Sequence, residues 1–253
     1  MKLEVKNLYG GYDKIDIIKD ISFSVETGDI LCIMGQNGSG KSTIFKFLLR
    51  FLIPSKGALL LDNKPIESYT TKEYAKNIAY IPQQHNTVFG YNVIDVVIMG
   101  RTPHLSSLGS PSKEDFRKSY DTLKLLGISH MAYRNYTKLS GGERQLVLIA
   151  RAICQDAKIL IMDEPTANLD YANQQIILNT IQKLSNSGYT IIMSTHSTEH
   201  PFFISNKVLL IKNGKSIAYG NTIDTLTEDS LQSIYGIPID ILSVLDRNGN
   251  TRN

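Results

Sequence analysis

The chain has 253 residues, 42% of them hydrophobic and 20% charged. That is enough for a sizeable core and argues against wholesale disorder. Its net charge of +3, from 27 Lys and Arg against 24 Asp and Glu, excludes the strong basic stripe of a nucleic-acid binder, so no nucleic-acid partner is expected.

The N-terminus, MKLEVKNLYG, lacks the apolar stretch of a signal peptide, and no run approaches the roughly 18 apolar residues that would span a bilayer. Alternation at Leu3, Val5, Ile15, Ile17, Ile21, Phe23 and Val25 predicts short antiparallel strands. Ile30 to Met34 is a continuous apolar run that predicts a buried strand. A glycine-rich loop follows, then a helical pattern over Ser42 to Leu49. Strand, loop and helix in that order open a parallel α/β unit. Gln84 to Tyr136 reads as mostly helix, broken at Thr102 to Ser112. Further strands are predicted at Lys158 to Met162 and Tyr189 to Ser194, with a helix at Tyr171 to Ser185 between them. This order implies a right-handed crossover. Asn213-Gly214 between two strand-like runs predicts a hairpin. A helix around Thr227 to Tyr235 and a polar tail from Asp246 complete the pattern. Cys32 and Cys154 lie in apolar or helical surroundings and read as buried thiols of a reducing compartment.

Three motifs carry chemistry. GQNGSGKS, Gly35 to Ser42, fits G-x-x-x-x-G-K-S. Its glycines let backbone amides turn onto phosphate oxygens, Lys41 reaches the β/γ-phosphates, and Ser42 ligates Mg²⁺. KILIMDEP, Lys158 to Pro165, puts Asp163 and Glu164 at the carboxyl end of a buried strand. There Asp163 can hold Mg²⁺ and Glu164 can take a proton from the attacking water. LSGGERQ, Leu139 to Gln145, offers Ser140 as an N-cap and two glycines whose amides stay open before a helix.

Together, in this order, the three resemble the ATP-binding cassette (ABC) ATPases, and the resemblance covers nearly the whole chain. It implies a P-loop NTPase core of α/β class, with an N-terminal antiparallel β subdomain and an inserted helical subdomain. The expected division is residues 1–83 and 157–240 for the core, 84–156 for the helical subdomain and 241–253 for a tail. ATP and Mg²⁺ are the implied ligands. By position, Tyr12 matches the aromatic residue that stacks on adenine. Asn37, Gly38, Ser39, Gly40, Lys41, Ser42 and Thr43 match the phosphate loop. Gln83 matches the glutamine that touches Mg²⁺ and the attacking water, and His196 the histidine that contacts the γ-phosphate. Asp170, in Asn168-Leu169-Asp170, matches the turn that crosses to a second subunit. Ser140 and Gly142 match the segment that closes over that subunit's phosphate. His85, His104, His130 and His200 match nothing and are expected as surface or packing residues. Three departures stand out: Glu143 replaces a frequent glutamine, Asn168 a frequent serine and Ser197 a frequent aspartate.

The resemblance implies a homodimer, head to tail, at the cytoplasmic face of the membrane. It would be held there by two copies of a multi-spanning permease served by an extracytoplasmic substrate-binding protein. Long coiled coils, zinc cysteines and a second cassette, which mark the soluble non-transport members, are missing from the sequence. Glu164 and His196, which a non-hydrolysing scaffold would lack, are present. VIDVVIMGRTPHLSSLG, Val93 to Gly109, and the closing stretch from Gly214 to Asp240 resemble the importers of iron-siderophore, haem, cobalamin, molybdate and tungstate. Val88, Phe89, Tyr91 and Val93 read either as core of the helical subdomain or as an apolar slot that receives a short helix of the permease.

Overall fold

The computed structural model describes residues 1–13, 15–83, 90–106, 109–242, 244–245 and 251–252. In chain order the elements begin with β1 (Lys2–Tyr12), β2 (Ile15–Glu26), β3 (Ile30–Met34) and α1 (Lys41–Leu48). Next come β4 (Lys56–Leu61), β5 (Lys64–Pro65), α2 (Thr71–Ala75), β6 (Ile78–Ile81), α3 (Val93–Ile98) and α4 (Lys113–Leu125). They continue through α5 (Gly141–Cys154), β7 (Ile159–Met162), α6 (Tyr171–Asn186), β8 (Thr190–Thr195) and α7 (His200–Ile204). The last are β9 (Lys207–Lys212), β10 (Lys215–Asn221), α8 (Thr222–Thr225), α9 (Glu228–Tyr235), β11 (Val244–Leu245) and β12 (Thr251–Arg252). The chain forms two compact units, one of residues 1–65 with 192–253 and one of residues 66–191. The segment 84–156 lies within the second unit, which also holds β6, β7 and α6. Among the described residues no helix is long and apolar enough to cross a membrane.

The first unit opens with an antiparallel sheet of order β2-β1-β4-β5. β1 and β2 are longer than the short strands that alternation predicts, because bulges carry each strand past its breaks in period. The register between them shifts after Val5 and again after Leu8. Asn7 and Asp20 take left-handed backbone angles there (φ 45° and 59°), and Asn7 Nδ2 donates to Asp20 Oδ1 at 2.9 Å. A bulge resets the inward face by one residue, which is why Leu8 follows Val5 into the core rather than residue 7.

The same unit holds β10, β9, β3 and β8 in that order. Every residue of β3 is buried, and β3 runs parallel to β9 with Leu31 opposite Lys207. β9 returns through Asn213-Gly214 into β10. Both turn residues have positive φ (49° and 77°), as a twisted two-residue hairpin requires. Gly214 is irreplaceable on space as well. A Cβ there would lie 1.7 Å from the carbonyl oxygen of Ile17. Its amide donates to Ser39 O at 3.0 Å and its carbonyl accepts from Lys19 at 2.8 Å. The hairpin turn therefore ties β2 to the loop that follows β3. Cys32 and Cys154 are both buried and unbridged, and burial pushes the Cys32 thiol up to about 12.

In the second unit, β6 and β7 pair in parallel, Ile78 opposite Ile159 and Ile81 opposite Met162. α5 buries the face that carries Val147, Ile149, Ala150 and Ile153. A 3-10 segment, Met99–His104, runs into the start of the stretch that sequence reads as a break in the helical pattern. It delivers Arg101 into the helical layer, where the side chain is nearly sequestered, 8% exposed. Its Nε donates to Asp115 Oδ1 at 2.9 Å, and Nη1 donates to Asp156 Oδ2 at 2.6 Å and Cys154 O at 2.9 Å. Lys118 also pairs with Asp156. One guanidinium thus links the 3-10 turn, the start of α4 and the end of α5.

Removing that guanidinium takes one donor from each of two carboxylates and one from the Cys154 carbonyl. Arg101→Ala should destabilise the protein by about 2–3 kcal/mol, less than a fully buried pair because Asp156 is partly in water. Urea unfolding checks this. The Arg101 guanidinium, helped by the amide and hydroxyl of Ser112, pulls the Asp115 carboxyl down to about 2. A depressed folded-state value gives stability that is present above the unfolded value, about 3.9, and is lost as pH falls through the folded one. Wild-type stability should therefore decline between about pH 4 and pH 2, and Arg101→Ala should flatten that decline.

Candidate functional site

In the first unit the site grows out of β3. Five apolar residues bury this strand, and the chain leaves it through Gly35 to enter α1 at Lys41. Gly40 stands at the N-cap and offers no side chain to the first amides of α1. Those amides are donors that the helix cannot satisfy itself. Asn37 and Gly38 are exposed, and nothing lies within 4 Å of where a Gly38 Cβ would be. Ser39 Oγ is buried and has no hydrogen-bond partner among the described residues. A buried hydroxyl without a partner, beside the start of a helix and an uncrowded glycine, fits an anionic oxygen ligand such as phosphate. Lys41 is buried, with Nζ donating to Gly35 O at 2.7 Å and to Gln36 O at 3.2 Å. The ammonium therefore stands across the loop rather than out in solvent. Ser42 is exposed on the first turn of α1, and Thr43 is buried behind it.

Tyr12, at the end of β1, is 40% exposed. Lys46 Nζ stands 5.0 Å from its ring centroid. Hydrogen bonding from Lys46, and less strongly from Thr43, lowers the phenol below its ordinary value although partial burial opposes it. Both partners sit on α1, so the aromatic ring is tied to the helix that carries the loop. Sequence reading missed Lys46; its signal was its place one helical turn beyond Ser42 on the same helix. His196, just past β8, is exposed. Tyr235 of α9 donates through its hydroxyl to His196 O at 3.4 Å, and Gln36 Nε2 donates to Tyr235 O at 3.2 Å. Tyr235 thereby joins the loop and the His196 backbone. His200 is the histidine that packs inside, and burial lowers it.

In the second unit the parallel register of β6 and β7 sets the arrangement. Ile81 faces Met162, and Asp163 continues the ladder by donating its amide to Ile81 O at 2.9 Å. Two residues beyond Ile81 is Gln83, and two beyond Met162 is Glu164. The register brings them side by side, and Gln83 Nε2 donates to Glu164 Oε2 at 2.9 Å. Glu164 takes φ 45°, a conformation that a non-glycine residue adopts only when its surroundings impose it. Asp163 faces Tyr80 as well. Burial, and then the Asp163 charge, push that phenol up to about 12.

The segment LSGGE starts α5. Ser140 Oγ accepts from the Glu143 amide at 3.3 Å, and Glu143 Oε2 accepts from the Ser140 amide at 2.8 Å. This is a reciprocal cap. Gly142 is buried because Asn173 of α6 lies against it, with Oδ1 2.2 Å from where a Cβ would stand. Asn173 in turn holds Asp170, donating through its amide at 2.8 Å and through Nδ2 at 2.8 Å. Asp170 is exposed at the N-cap of α6. Ser140, Gly142 and Asp170 so belong to one surface. Asn173 is its link and is a residue that motif reading did not single out. Val88, Phe89, Gln84 and His85 lie outside the described residues. Of the rest of the expected apolar slot, Tyr91 is exposed, but Val93 is wholly buried at the start of α3 and belongs to the core. Among the described residues no three His, Cys, Asp or Glu side chains gather as a metal cluster.

Comparison with known proteins converges on one family. Residues 18–167 match the family described as ABC transporter. The molybdate import ATP-binding protein MolC of Haemophilus influenzae is 36% identical, over 94% of this chain and 89% of that one. The iron(3+)-hydroxamate import ATP-binding protein FhuC of Bacillus subtilis is 36% identical, over 95% and 90%. Among solved structures, an inward-facing metal-chelate-type ABC transporter aligns with a TM-score of 0.89 and 33% identity, covering 99% of this chain and 95% of its own. A family match over more than half of the chain, relatives aligned almost end to end, and a fold shared at that level agree: the chain belongs to the ABC transporter family, as an ATP-binding subunit that hydrolyses ATP.

Proposed function

We propose that this subunit works as a head-to-tail homodimer on two copies of a separate multi-spanning permease. ATP hydrolysis there drives import of a metal chelate or a metal oxyanion handed over by an extracytoplasmic binding protein. The cargo class rests on the relatives, whose names specify molybdate and iron(3+)-hydroxamate. The catalytic reading rests on one observation above all, the hydrogen bond from Gln83 to Glu164 at the ends of paired parallel strands.

The roles divide as follows. Tyr12 stacks on the base. The amides at Gly38 to Lys41, with the Ser39 hydroxyl and the Lys41 ammonium, bind the phosphates. Ser42, Asp163 and Gln83 are the residues that would hold Mg²⁺, which when bound neutralises charge on the β- and γ-oxygens. Glu164 accepts the proton of the attacking water, and Gln83 orients both. His196 contacts the γ-phosphate. Ser140 and Gly142 of the second copy close on that phosphate, with Asp170 at the crossing turn. Each charge-assisted hydrogen bond in the closed dimer contributes on the order of 1.5–3 kcal/mol, so bound ATP holds the copies together. Attachment to the permease would put the subunit at the cytoplasmic face of the membrane.

Glu164→Gln keeps the hydrogen-bond geometry but removes the proton acceptor. It should retain ATP binding, lose ATPase activity by about 10²- to 10⁴-fold, and accumulate as an ATP-dependent dimer in size-exclusion chromatography. Turnover near the wild-type rate would exclude Glu164 as the base. Tyr12→Ala should weaken nucleotide binding by about 1–3 kcal/mol, and about equally for ATP and GTP because stacking tolerates any base. Titration calorimetry measures both. For cargo, a strain lacking this subunit should grow poorly when an iron chelate, cobalamin or molybdate is limiting, and wild-type protein but not the Glu164→Gln variant should restore growth. Equal growth of the deletion strain on all of these would remove the import assignment.

A further inference from the structure

The cap of α5 contains a difficulty of charge. A helix N-terminus attracts an anion through a partial positive charge of roughly half a unit. Glu143, in the third position of α5, places a full carboxylate there. It is held ionised, below its ordinary range, by the Ser140 amide first and by Arg134 as well. A glutamine at this position would accept the same bond from the Ser140 amide without the charge. The carboxylate alone would more than cancel the helix end and repel an arriving phosphate.

Arg134 answers that charge. Its Nη1 donates to Glu143 Oε1 at 2.8 Å, the oxygen that Ser140 does not use. The residue is not on α5 but in the loop before it, and its backbone is held from both sides. The Arg134 amide donates to Met131 O at 2.9 Å, and its carbonyl accepts from the Val93 amide at 3.0 Å. Both side chains are partly exposed, 47% and 30%. A pair this wet adds little to folding stability. Its effect lies in the net charge presented at the helix end.

We propose that Arg134 is the charge-balancing residue of the α5 terminus: by neutralising Glu143 it lets this end of the helix receive the terminal phosphate of a nucleotide held by a second copy of the chain. The inference rests on the head-to-tail reading above and adds to it a residue outside all three motifs. Arg134 acts through Glu143 and is a positioning residue.

The test uses the full-length Glu164→Gln protein as parent and measures the ATP concentration at which half of it elutes as a dimer. Adding Arg134→Gln should raise that concentration about five- to tenfold, the effect of one unbalanced charge at a helix end. Adding Glu143→Gln to that variant should bring it back to within about twofold of the parent. Arg134→Lys, which keeps the charge, should stay near the parent. The defect should shrink as salt is raised, since an exposed charge is screened. Circular dichroism melts verify that each variant is folded. An unchanged ATP requirement for Arg134→Gln, or a defect that Glu143→Gln fails to relieve, would overturn the proposal and leave the ATPase assignment standing. A parent that stays monomeric at saturating ATP would instead remove the head-to-tail reading, and this inference with it.

Discussion

A loop that binds phosphate must keep its amides pointing at a ligand and not at itself. That constraint organises the first unit. The loop therefore takes much of its rigidity from its neighbours. β3 anchors one end by complete burial, and α1 anchors the other. Between them, Ser39 O is held by the Gly214 amide and Lys41 Nζ by the carbonyls of Gly35 and Gln36. The hairpin turn at Asn213-Gly214 is remote in sequence, yet its left-handed angles and lack of a Cβ are what let it approach β2 and the loop together. A hairpin signal that reads as simple punctuation in the sequence is part of the nucleotide-binding apparatus in the fold.

The two helix ends that serve anions are built in opposite ways. α1 begins at a glycine without a side-chain cap. α5 begins with Ser140 and Glu143 capping each other. The difference suits the roles proposed for each end. A loop that receives phosphate in its own chain needs its amides available, whereas an end that meets a second copy has to be stable when nothing faces it. A reciprocal cap of this kind contributes about 1 kcal/mol. The close packing of Gly142 on Asn173 adds a second restraint, because it sets α5 against α6 at the point where Asp170 turns outward.

Much of this was legible in the sequence, and for physical reasons. Ile30 to Met34 could only be a buried strand, and Gly40-Lys41-Ser42 could only open a helix onto an anion. Asn213-Gly214 specified its own turn. What escaped is what depends on register and on long-range contact. Alternation over residues 3–25 suggested several short strands, because a bulge at Asn7 shifts the period without leaving a mark that composition can show. Val93 looked like part of an apolar slot next to Tyr91, but the helical period of α3 turns it into the core while Tyr91 precedes the helix and stays exposed. Arg101, Arg134 and Asn173 were unreadable for one reason. Each is an ordinary polar residue whose partner lies on another element or a full helical turn away.

The pairing of Gln83 with Glu164 joins backbone strain to chemistry. A glutamate at φ 45° costs on the order of 1–3 kcal/mol relative to a relaxed backbone. A hydrogen bond to a charged group contributes about 1.5–3 kcal/mol. The two magnitudes are of the same size, so the orientation of the Glu164 carboxylate depends on the Gln83 amide remaining two residues past β6. Proton acceptance at a carboxylate is sensitive to placement at the scale of an ångström. A displacement of Gln83 that broke the 2.9 Å contact would remove a donor from the carboxylate proposed as the base. The strand register that brings Ile81 opposite Met162 thus sets the geometry of the Gln83–Glu164 pair.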